Sequence, residues 1–333
     1  MNRRDAIPAL AALVAAAAVT AARPQSPVRS WRVGYLGPSA ETAPSLLKAF
    51  QEGLAAAGYV DGRGGVVEYR WTNAGSRMNS ESVLVASARD LVARKVDVIA
   101  ASIDPAILAA SKATRDVPIV MLNASDPIEL GLVASLARPG GNITGLTRLS
   151  PELIGKNLQM LREVVPQARR IGLLVSGSGA MSTAIGRHAQ QAAQAQGIAL
   201  QVGELGAGPS LERVIAALRR SSEALVVADT GGGVFFTDRA RLADLLLAHR
   251  LPAIFANTEI AEAGGLMSYS PSSVENYRRA GDFIDRILRG MKVGDIPVEQ
   301  PTKFELVLNQ RTAKAMNLVF PQSLLLRADR VIA

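Results

Sequence analysis

Cysteine is absent from the 333 residues. No disulfide can form, no thiol can serve as nucleophile or metal ligand, and no lipid can be attached through a cysteine. Histidine is nearly as scarce. His188 and His249 are the only two, both on predicted helices away from strand ends, so a zinc site or a Cys/His pair has no basis. Aromatic residues make up 4%, which leaves Ala, Leu, Val and Ile to build the cores. The formal charge is +8, yet no run reaches the roughly five or six like charges of a nucleic-acid tail. Nucleic acid is therefore not an expected partner, and the excess charge reads as solvated surface. Neither a Gly-x-Ser-x-Gly elbow nor a phosphate-binding Gly-x4-Gly-Lys-Ser/Thr loop occurs.

A single long apolar run is present, at the start. Arg3-Arg4 precede Ala6 to Ala22, almost all Ala, Val and Leu, and small residues around Ala21-Ala22 precede Arg23-Pro24. Charge, apolar stretch and small-residue site in that order predict a secretory signal removed near residue 22. The run is shorter than the ~20 residues of a membrane span. Arg3-Arg4 leaves twin-arginine export open beside the general route. The expected mature protein is periplasmic, soluble and free of a lipid anchor.

The remainder has the length for about two domains. Short apolar strands alternate with helices: Arg32 to Leu36, Val66 to Trp71, Val96 to Ala101 and Val117 to Leu122, with helices between them and another opened by Pro127. A Pro/Gly-rich break, Arg138-Pro139-Gly140-Gly141-Asn142, interrupts the series. A second series then supplies strands at Ile171 to Val175, Ala199 to Val202, Ala224 to Ala228 and Pro252 to Ala256. A long helix follows from Ser273 to about Arg289, then the alternating stretch Phe304 to Asn309. This predicts an α/β protein of two doubly wound parallel-sheet lobes joined by a hinge. The expected boundaries are 30–146 plus 272–298 for one lobe and 147–271 plus 299–333 for the other. Hinge segments are expected near Asn142 to Thr147, Tyr269 to Ser273 and Ile296 to Thr302.

In open α/β sheets, ligands bind outside the carboxyl ends of the strands. The candidate loops are Gly37 to Pro44, Thr72 to Asn79, Ser102 to Asp104, Asn123 to Asp126, Ser176 to Ser182, Asp229 to Gly233 and Asn257 to Glu259. Asp104 precedes Pro105, and Asp126 precedes Pro127 with Glu129 three residues on, as helix-capping residues would. A cap at the cleft end of a helix can also touch a ligand. Ser39 and Thr42 flank the start of the first helix, beside amides that suit a carboxylate. Asp229 ends a buried strand well before its helix begins near Thr237, so it is the expected counter-charge for a ligand ammonium. Asn257 and Glu259 share the neighbouring loop. Gly177-Ser178-Gly179 is a fragment of a dinucleotide fingerprint without its third glycine, with Glu204 as the would-be ribose partner. No cofactor is expected.

Several stretches resemble the ABC-transporter substrate-binding family that includes tryptophan- and tyrosine-binding members. They are Phe50-Gln51-Glu52-Gly53-Leu54, Leu130 to Asn142, Ala263-Gly264-Gly265-Leu266-Met267-Ser268-Tyr269 and Val298-Glu299-Gln300-Pro301-Thr302-Lys303-Phe304. The resemblance implies a type I periplasmic-binding fold that is not an enzyme. It implies closure on a small ligand, an amino acid or a related polar or aromatic molecule, and docking on an ABC permease. It also implies a ligand role for Ser39, Asp126, Asp229 and Tyr269. Ile103-Asp104-Pro105 and Asp229-Thr230-Gly231-Gly232-Gly233 depart from the family's turns and alter the cleft wall, leaving the ligand's identity open. The chain is expected to act as a monomer. The alternatives are a two-lobed Rossmann-like enzyme (a glycosyltransferase or a nicotinamide-dependent dehydrogenase), against which the export signal argues, and a receptor feeding a signalling protein.

Overall fold

The computed structural model describes residues 30–72, 80–148, 151–176, 180–206, 210–228 and 234–333. The predicted export segment, Gly177 to Gly179 and Asp229 to Gly233 lie outside the described residues. Five strands form the first sheet: Trp31–Gly37 (β1), Gly65–Trp71 (β2), Val98–Ala101 (β3), Ile119–Ala124 (β4) and Ile143–Thr147 (β5). All pair in parallel, in the order β2-β1-β3-β4-β5. Period-two alternation sends their side chains to two cores. Val33, Tyr35, Val98 and Ala100 pack on one face, Leu36, Ile99 and Ala101 on the other. Every residue of β3 and β5 is buried, and β3 accordingly reads as an unbroken apolar run.

Helices Pro44–Ala56 (α1), Glu81–Ala93 (α2) and Asp104–Ala113 (α3) connect these strands. The helix predicted at Pro127 is instead a turn. The Asp126 carboxylate accepts from Ile128 N at 3.0 Å and Glu129 N at 3.1 Å, and Gly131, at φ 65°, turns the chain out of helical geometry within one turn.

After Pro151–Val164 (α4), the second sheet uses Arg170–Ser176 (β6), Ala199–Leu205 (β7), Ala224–Ala228 (β8), Ala253–Phe255 (β9), Met267–Pro271 (β10), Phe304–Asn309 (β11) and Arg330–Ile332 (β12). Its order is β12-β11-β10-β9-β8-β6-β7, and β11 runs antiparallel to β10. Its helices are Ala180–Ala195 (α5), Leu211–Ser221 (α6), Val234–Thr237 (α7), Arg239–Ala248 (α8), Thr258–Glu262 (α9), Gln310–Ala315 (α11) and Gln322–Arg327 (α12). The intervening Ser273–Leu288 (α10) leaves the second sheet at β10 and packs on α1 of the first lobe. That contact is backbone to backbone. A Cβ at Gly53 would meet the Arg278 carbonyl at 2.0 Å, and one at Gly281 the Gly53 carbonyl at 2.2 Å. Helix α10 also holds the crossing segments, because Asn276 Nδ2 donates to Thr147 O at 3.0 Å and the Arg279 guanidinium forks onto Glu299 at 3.0 and 3.1 Å.

Candidate functional site

Both lobes line one cleft pocket that opens to solvent. The first lobe contributes from its strand ends, as the topology requires. Pro38 follows β1, Thr72 follows β2, Ser102 and Ile103 follow β3, Asn123 lies at the end of β4, and Arg148 comes directly after β5. Thr42 and Leu46, at the start of α1, complete that wall. The second lobe supplies Phe236 from α7, Asn257 after β9 and Glu259 from α9. Ser273 and Tyr277 stand one turn apart on α10.

The floor is a hydrogen-bonded polar layer. The buried Tyr277 hydroxyl pairs with the buried Ser102 hydroxyl. Burial pushes the Tyr277 phenol well up, the nearby Glu259 charge pushes it the same way, and Arg148 pulls it down. The phenol thus lies within the field of both an anion and a cation. Asn123 donates to Ser273 Oγ at 3.1 Å and accepts from Asn276 Nδ2 at 3.0 Å, which fixes the direction of its amide. The Arg148 backbone N–H donates to Ala124 O at 2.8 Å and its guanidinium to Ser125 Oγ at 3.3 Å, tying the cation to the end of β4. Glu259 accepts from Thr258 Oγ1 at 3.4 Å. Desolvation raises its carboxyl above the usual range, Glu262 adds to that, and Arg239 opposes it. A pocket holding one cation and one anion on different walls can bind a zwitterion by charge-assisted hydrogen bonds at both ends.

Of the residues singled out in the sequence, Thr42, Asn257 and Glu259 line this pocket. Ser39 stands just behind the wall, its hydroxyl 3.2 Å from Thr42 Oγ1 and accepting from Thr42 N at 3.4 Å. Asp104 is buried beneath Ile103 as the first residue of α3 and accepts from Ser125 N at 2.9 Å. Its carboxylate braces the β4 loop, and Ile103 rather than Asp104 holds the N-cap position of α3. Asp126 caps its turn, and Tyr269 stacks on Phe304 at 5.5 Å beside the second lobe's core; neither lines the pocket. Asp229 lies outside the described residues. The strand-end loops read in the sequence do not include Leu46, Arg148, Phe236, Ser273 or Tyr277. The strand-end rule reaches Arg148 once β5 is counted as a strand of the sheet, and the other four sit on helices, where that rule gives no signal. Among the described residues no group of three or more acidic or histidine side chains is placed to hold a metal, and no helix is long and apolar enough to cross a membrane.

Two sheet lobes with a pocket between their strand ends define the type I periplasmic-binding architecture. Residues 40–332 match the family described as ABC transporter substrate binding protein. The match spans most of the chain, and the protein belongs to that family. A relative named "Tyrosine-binding protein", from Clostridioides difficile (strain R20291), is 27% identical over 278 residues, 83% of this chain and 78% of the relative. A crystal structure of an ABC domain in complex with L-Trp from Streptococcus pneumoniae superposes with a TM-score of 0.81 at 24% identity, covering 91% of this chain and 100% of the other. A conserved domain protein from Vibrio cholerae does so with 0.81 at 22% identity, covering 91% and 99%. Family membership supports a solute-binding role and gives no support to the enzyme alternative.

Proposed function

We propose that this protein captures a free L-α-amino acid with an apolar or aromatic side chain and hands it to an ABC permease in the cytoplasmic membrane. The carrying observation is the placement of Arg148 and Glu259 in one pocket, with Tyr277 in the field of both. Arg148 takes the ligand carboxylate and Glu259 the ammonium, while Pro38, Leu46, Ile103 and Phe236 receive the side chain. The relative named for tyrosine binding supports this ligand class. The protein performs no chemistry on its ligand. It is exported by residues 1–22 and works as a soluble monomer outside the cytoplasmic membrane. The two lobes close on the ligand by rotation at their crossing segments.

A thermal-shift screen of the mature protein against L-amino acids, aromatic carboxylates and small amines tests the reading, because a ligand that binds only the folded state raises its melting temperature. L-tyrosine, L-tryptophan or L-phenylalanine is expected to give the largest shift. Shifts from carboxylates lacking an amine, with none from any amino acid, would contradict it.

A further inference from the structure

Two adjacent phenylalanines in α7 face different lobes. Phe235 is fully buried in the second lobe's own core, beside Leu174, Leu242 and Phe255. Phe236, the next residue, packs against the first lobe's core, whose members include Leu46, Phe50 and Tyr277. Of the described partly buried hydrophobic residues packed on that core, Phe236 alone lies outside the first sheet, its connections and the 272–298 segment that carries α10. Its position is held from its own side. The Arg239 guanidinium lies 5.0 Å from the centre of its ring and donates to its carbonyl at 2.8 Å. Phe236 is also the apolar member of the second lobe's pocket wall, whose other members are Asn257 and Glu259.

We infer that Phe236 is a cross-cleft bolt, a ring anchored through Phe235 in one lobe whose burial against the other lobe's core drives closure. This rests on the two-lobed closing reading but not on the ligand's identity. A second contact spans the cleft, Arg187 Nη2 to Glu129 Oε1 at 3.7 Å, and both side chains are largely exposed. Such a pair contributes little by itself, so of these two contacts the apolar one carries the larger share of the closing force. Binding that shifts a population toward closure requires the closed form to be within reach of the free protein, and Phe236 supplies a contact that does not depend on what fills the pocket. Truncating the ring removes buried apolar area from the closed form alone, which lowers the closed population by on the order of tenfold.

The absence of native cysteine makes the test clean. Glu129→Cys with Arg187→Cys introduces the protein's only two thiols, at positions that meet when the lobes touch. Ligand-stripped protein is treated with a short bismaleimide, and the rate of intramolecular cross-linking is followed. In this background Phe236→Ala is expected to slow cross-linking about tenfold while Phe236→Leu stays within about twofold. An unchanged rate in Phe236→Ala would overturn the inference. So would a slower rate accompanied by the drop in melting temperature given by Phe235→Ala, since local unfolding would then explain it. No ligand enters the assay, so its failure and the failure of the amino-acid reading are separable.

Discussion

Glu259→Gln sets the two roles of one side chain against each other. The substitution keeps the shape and removes the charge. For ligand binding the charge is required, because the ammonium otherwise enters a desolvated pocket without its partner. Breaking such a pair costs about 3 kcal/mol, or roughly a hundredfold in Kd. For the free protein the charge is a burden, since desolvation and Glu262 both raise the carboxyl. A carboxyl with a raised pKa in the folded state binds its proton more tightly there than when unfolded. Its contribution to stability is therefore present below the unfolded pKa and is lost as pH rises through the folded one. The variant is accordingly expected to melt above wild type at neutral pH, with the gap closing on acidification as Glu259 protonates and comes to resemble glutamine. Calorimetric titration with L-tyrosine should show wild-type affinity falling as pH is lowered through the raised pKa of Glu259, and a flat, weak profile for the variant. Equal affinities at neutral pH would refute the assignment. A variant that loses both affinity and stability would show that Glu259 holds α9 in place rather than a ligand.

Three further outcomes follow from the geometry. Arg148→Met should weaken L-tyrosine binding by about 2–3 kcal/mol while leaving tyramine, which has no carboxylate, no worse than with wild type; calorimetry with both ligands checks this. Tyr277→Phe leaves the buried Ser102 hydroxyl without its phenol partner and should cost about 1–3 kcal/mol of stability in a urea titration. Gly53→Ala drives a methyl group into the Arg278 carbonyl, so α10 must move off α1; a loss of about 1–3 kcal/mol is expected, read as a lower denaturation midpoint.

Much of the fold is legible in the sequence because its central strands are buried on both faces and its helices carry one apolar stripe. The runs at Ala224 to Ala228 and Phe304 to Asn309 coincide with β8 and β11. Two features were not legible. Pro127 opens a turn rather than a helix because Gly131 ends it at once, and Asp-Pro-x-Glu reads the same in either case. Met267–Pro271 is not among the strands read from the sequence, since Ser268, Tyr269 and Ser270 break the apolar pattern, yet pairing with β9 and β11 makes it a strand. The site was legible as far as the strand-end rule extends, through Thr72, Ser102, Asn123, Asn257 and Glu259. Phe236 and Tyr277 escape it because tertiary packing, not local pattern, turns one phenylalanine of a pair across the cleft and sets a helical tyrosine under the pocket.

The central claim is that one pocket recognises both ends of a free amino acid. Calorimetric titration of the wild-type protein with L-tyrosine, N-acetyl-L-tyrosine and L-tyrosine amide tests it most directly. The free amino acid should bind, and each blocked form should lose about 2–4 kcal/mol because one buried charge is left without its partner. Binding of the N-acetyl or amide form as tightly as L-tyrosine would contradict the account.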